Sequence, residues 1–98
     1  MSEALVLEFT GLGLEDYRRV NSLLGLEEGN ESGDWPAGLT LHAGGLSDDG
    51  LVVIEVWDSR EAQAAFMQER LGAALHEAGV TAAPRVTWAA LERVEDLS

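Results

Sequence analysis

Leu51-Val52-Val53-Ile54-Glu55-Val56-Trp57-Asp58-Ser59-Arg60-Glu61 is the stretch that decides the fold. Its first seven residues read as a strand that is apolar on both faces. Leu51, Val53 and Trp57 lie on one face, and Val52, Ile54 and Val56 on the other. Asp58-Ser59 then opens a long helix, with Ser59 as N-cap and Glu61 in the first turn, where a carboxylate suits the helix dipole. Gln63, Phe66, Met67, Leu71, Ala74, Leu75 and Ala78 follow at helical spacing, and Gly79 ends the helix.

Upstream, Ser47-Asp48-Asp49-Gly50 is a turn signal, and Leu39 to Leu46 reads as a strand containing His42. The two strands form a hairpin. Ala4 to Phe9 alternates as a further strand, broken by Gly11 and Gly13. Leu14 to Leu24 is helical, with Leu14, Tyr17, Val20, Leu23 and Leu24 on one stripe, and Gly25 stops it. Residues 25–38 are irregular and acidic. Their Asn30-Glu31-Ser32 matches a glycosylation sequon, which is read as chance because no signal peptide is expected. Downstream, Pro84 precedes a last strand, Arg85 to Leu91, and a polar tail follows.

The order is therefore strand, helix, strand, strand, helix, strand. Ninety-eight residues fit one domain, spanning 1–98. This order predicts an α+β fold, a ferredoxin-like βαββαβ chain with a four-stranded antiparallel sheet and both helices on one face. The two-sided apolar third strand then needs a cover on its second face. In so short a chain the expected cover is another copy of itself, a homodimer.

Charge and composition limit the partners. Six Lys and Arg against eighteen Asp and Glu give a net charge of −12, which repels nucleic acid and anionic membranes. With no Cys, disulfides, thiolate metal sites and thiol nucleophiles are all absent, which fits a reducing cytoplasm. No metal-ligand spacing occurs, so neither a metal nor a cofactor is expected. No apolar run approaches membrane-spanning length, and Met1-Ser2-Glu3-Ala4-Leu5 carries no Lys or Arg of the kind that opens a secretory signal. Gly11-Leu12-Gly13 lacks the third glycine of a dinucleotide loop, because Asp16 stands in its place.

Glu55-Val56-Trp57-Asp58-Ser59-Arg60-Glu61-Ala62-Gln63-Ala64-Ala65-Phe66 resembles the dimeric α+β barrel superfamily, in particular small antibiotic biosynthesis monooxygenase-like proteins. Asp34-Trp35-Pro36-Ala37-Gly38-Leu39 with His42-Ala43-Gly44 is similar to a mostly uncharacterised bacterial type. The resemblance implies a homodimer with sheets face to face and a cavity between sheet and helices in each subunit. Haem-degrading relatives carry an Asn on the first strand, a Trp on the second helix and an iron-ligating His ten residues later. Here Phe66 and His76 have that spacing, Phe66 replaces Trp, and the first strand has no Asn. Haem degradation is therefore disfavoured. Asn21, in the first helix, matches no such place.

The candidate catalytic residues are His42 and His76. The candidate ligand contacts are Trp57, Gln63, Phe66, Met67 and Glu55. A four-residue turn at 47–50 pairs His42 with Glu55 and Thr40 with Trp57, whereas a three-residue turn with a bulge dissolves those pairs. With Glu8 on the same sheet face, Glu8, His42 and Glu55 would cluster and raise the histidine pKa, fitting it as a base or proton relay. The same cluster also reads as a polar network fixing register at a dimer interface. Two functions follow. One is a non-catalytic module binding a small hydrophobic ligand between sheet and helices. The other is a cofactor-independent monooxygenase-like enzyme acting on an aromatic or polyketide-like molecule.

Overall fold

Alternating apolar residues build a four-stranded sheet in the computed structural model, which describes residues 2–26, 33, 35–95 and 97. The acidic stretch 27–32, Asp34 and the sequon read from the sequence lie outside the described residues. In chain order the elements are β1 (Glu3–Thr10), α1 (Leu14–Leu24), β2 (Leu39–Leu46), β3 (Gly50–Trp57), α2 (Arg60–Phe66), a π-helical turn (Met67–Leu71), α3 (Gly72–Glu77) and β4 (Arg85–Ala90). The sheet order is β2-β3-β1-β4, with every neighbouring pair antiparallel. The chain is thus a mixed α and β fold on an open antiparallel sheet.

One face of that sheet carries the core. Leu5, Leu7 and Phe9 of β1 alternate inward with Leu51, Val53, Glu55 and Trp57 of β3, and all are buried. Val20 and Leu24 of α1 and Phe66, Leu71, Ala74 and Ala78 of the second helical segment close over them. Among the described residues, no helix covers the opposite face. There Ile54 is 45% exposed and Leu41 50% exposed, while Val52 and Val56 are half-buried. Within the single chain, β3 is therefore covered on one side only.

Local chemistry sets the ends of the elements. Gly25 takes a left-handed φ of 78° after α1, and the Leu26 N–H returns to Asn21 O at 2.8 Å. The Asp16 carboxylate accepts from the Gly13 N–H at 2.9 Å, which holds its pKa below the ordinary value. Ser59 Oγ accepts from Ala62 N–H at 3.1 Å, so the N-cap expected from sequence is present. Gly50 closes the hairpin where any Cβ would collide with the Phe9 carbonyl of β1.

The single long helix expected from sequence is interrupted. Phe66 and Leu71 are both buried yet lie five residues apart, which in an α-helix leaves them roughly 140° out of phase. The π turn absorbs the extra residue, with Gly72 N–H donating to Met67 O, and keeps both side chains on the core.

Register settles the hairpin. His42 faces Glu55 and Leu46 faces Leu51, as the four-residue turn requires. A bulge between Leu39 and Leu41 puts Leu39, not Thr40, opposite Trp57. Thr40 Oγ1 instead donates to the Val56 carbonyl at 3.1 Å.

Candidate functional site

Glu55 is the buried charged residue of the core, 5% exposed on β3 between Val53 and Trp57. Two neighbours make that burial tolerable. The Trp57 indole N–H donates to Glu55 Oε1 at 3.0 Å. His42 Nε2 lies 3.7 Å from Glu55 Oε2, too far for a hydrogen bond. Burial pushes the Glu55 pKa up, against the lowering effect of the indole N–H.

His42 is held between two aromatic rings. Tyr17 stacks on it from α1 with centroids 5.7 Å apart and an interplanar angle of 15°. Trp35 leans on it at 5.2 Å and 57°. The Tyr17 hydroxyl and His42 Nδ1 are 3.3 Å apart. Gly44 makes this possible: a Cβ there would occupy the space of the Tyr17 ring.

Two expectations are corrected here. Glu8 is opposite Val52, so it points to the helix-free face, away from His42 and Glu55. The histidine pKa is lowered, not raised, because desolvation dominates in this aromatic slot.

A cavity of about 80 Å³ opens beside this cluster, between sheet and helices. Its walls are mostly apolar, from Leu7, Phe9, Val20, Leu51, Val53 and Leu71 among others. Polar groups enter from Tyr17, His42, Glu55, Asp16 and Asn21.

Of the residues singled out from sequence, His42, Glu55, Phe66 and Met67 line this cavity. Trp57 does not line it. It is wholly buried behind Glu55, with its ring 5.8 Å from that of Phe66. Gln63 is half-buried on α2 and lines no part of the cavity. His76 is exposed on α3 and also stands outside it. Tyr17, a residue of the apolar helical stripe, and Asn21, which matches no Asn place of the resembled family, both reach the cavity. The signal for Tyr17 was a polar-tipped ring on an apolar helical stripe.

Among the described residues, no group of three or more His, Asp or Glu could hold a metal ion. Nor is any helix among them long and apolar enough to cross a membrane. The sequence matches no protein-family model, and a search of curated proteins returns no match.

Proposed function

We propose that the protein is a ferredoxin-like domain of the dimeric α+β barrel kind, a non-catalytic module binding a small hydrophobic ligand between sheet and helices. The observation that carries this reading is the mostly apolar cavity of about 80 Å³ with polar groups gathered at His42 and Glu55. An apolar wall supplies affinity through water release, and a few fixed polar atoms supply orientation. Pairing of two chains through their helix-free faces accompanies this reading, because Ile54 and Leu41 stand exposed there.

Xenon is a probe suited to the cavity, since dry apolar cavities take it up. Under xenon pressure, methyl resonances of Leu7, Met67 and Leu71 are expected to shift in a saturable way, with those of Leu97 unmoved. Unsaturable, uniform shifts would remove the ligand-binding reading.

One observation favours an enzymatic alternative: His42 is a half-buried imidazole that lines the cavity. A monooxygenase-like enzyme could use it to take a proton from an aromatic or polyketide-like substrate. Against this, an empty space of about 80 Å³ is roughly half of the ~150 Å³ that takes up benzene. Oxygen consumption with enolisable polycyclic phenols, lost in His42→Phe, would reverse the preference.

A further inference from the structure

Two atoms at the polar end of the cavity have no hydrogen-bond partner among the described residues. Glu55 Oε1 is occupied by the Trp57 indole N–H. Glu55 Oε2, on a side chain 93% buried, accepts from no donor among the described residues, and the nearest candidate, His42 Nε2, is 3.7 Å away. His42 Nε2 is likewise unbonded, since the ring's close contact runs through Nδ1 to the Tyr17 hydroxyl at 3.3 Å. No side-chain nitrogen or oxygen sealed from solvent lacks a partner among the described residues, so these two atoms face accessible space. Both residues line the cavity.

The tautomer follows from the surroundings. His42 Nε2 faces the Glu55 carboxylate at 3.7 Å, which favours the ring proton on Nε2 and leaves Nδ1 to accept from the Tyr17 hydroxyl. The proton of the neutral ring then sits on Nε2, where it faces the Glu55 carboxylate rather than opposing it with a lone pair. The cavity thus presents one N–H donor and one carboxylate acceptor, side by side.

We infer that this site selects a neutral molecule whose buried apolar end terminates in a hydroxyl group. One hydroxyl oxygen accepts from His42 Nε2–H and donates to Glu55 Oε2, satisfying both atoms from a single point. An ammonium group satisfies Glu55 but opposes the Nε2–H. A carboxylate accepts from His42 but is repelled by Glu55, by Asp16 on the cavity wall and by the −12 net charge. An empty space of about 80 Å³, scaled from the ~150 Å³ that holds benzene, suits a chain of about three carbons. This inference rests on the cavity-binding reading and adds the chemistry of the ligand's end.

The test compares 1-propanol, 1-chloropropane, propylammonium and propionate at pH 7.5, followed through the Trp57 indole nitrogen and the two His42 ring nitrogens by ¹⁵N NMR. 1-Propanol is expected to bind about tenfold or more tighter than the other three, because each analogue leaves a buried polar atom unpaired. His42→Phe, which keeps a ring between Tyr17 and Trp35, is expected to erase that preference while 1-chloropropane still binds. The ring nitrogens are expected to show Nε2 protonated. Equal binding of 1-propanol and 1-chloropropane by the wild-type chain would overturn the inference and leave the cavity reading standing. Tightest binding of propylammonium or propionate, or a proton on Nδ1, would also overturn it. Binding of none of the four would remove the cavity reading as well.

Discussion

Glu55 and His42 give opposite pH dependences from adjacent positions. The Glu55 pKa is raised above its ordinary 4.5 by burial. Between 4.5 and that higher folded value the folded chain holds a proton the unfolded chain has lost, so stability falls as pH rises through this window. The His42 pKa is lowered from 6.5 by burial. Between the lowered value and 6.5 the unfolded chain holds the extra proton, so stability falls as pH drops. Glu55→Gln keeps an acceptor for Trp57 and removes the buried charge. Urea unfolding of this variant at pH 7 is expected to give a free energy equal to or above wild type, with the loss on raising pH through the Glu55 window gone. A loss of more than about 1 kcal/mol would show that the carboxylate is a net stabiliser. Gly44→Ala tests the aromatic slot. Its Cβ meets the far end of the Tyr17 ring, which can swing outward, so the cost is expected to stay within about 1–3 kcal/mol. The Tyr17–His42 contact is expected to be lost, read as a changed His42 titration by NMR.

The second helical segment carries the clearest test among the elements. Phe66 is buried against Trp57 and also walls the cavity. Phe66→Ala is expected to cost about 3–5 kcal/mol in urea unfolding, since its packed side is lost together with part of the wall. Deleting exposed Gln68 is expected to convert the π turn to regular α-helix, placing Phe66 and Leu71 four apart and still in phase. Helical circular dichroism should persist with cooperative unfolding. Collapse of the fold would show that the turn is more than one inserted residue. Sequence periodicity placed α1, β2 and the hairpin turn at their observed ends, because Gly25, Gly50 and the alternating runs are local signals. It missed the π turn because a broad helical stripe tolerates Phe66 and Leu71 together, and only their five-residue spacing betrays it. The clustering of Glu8 with His42 and Glu55 fails, although the inward alternation of Leu5, Leu7 and Phe9 already turns Glu8 to the other face. The contact of Tyr17 with His42 was not legible, because it joins residues twenty-five positions apart on a helix and a strand that no local pattern links.

At the scale of the whole molecule the helix-free face is the outstanding consequence of the sequence. Three strands of eight residues and one of six at ~3.3 Å rise, spaced ~4.8 Å apart, outline roughly 500 Å². Two such faces together bury on the order of 1,000 Å², about the threshold for a specific interface. The face holds Val52, Ile54 and Val56 on the inner strand β3 and Leu41 beside them on the edge strand β2, while Glu8 and Arg85 stand opposite each other across β1 and β4. A homodimer is therefore expected at micromolar concentration by light scattering. Ile54→Lys, which sets a charge in the middle of the face of each copy, is expected to yield monomer with the core side of the sheet intact. The two copies each carry −12, so like charge opposes association outside the apolar contact. Added salt screens that repulsion over about 10 Å at 0.1 M and should tighten the dimer or leave it unchanged. Wild-type monomer at micromolar concentration would remove self-association as the cover for β3. Dissociation on adding salt would instead place attractive ion pairs at the interface, contrary to a contact made of Ile54, Leu41 and their neighbours.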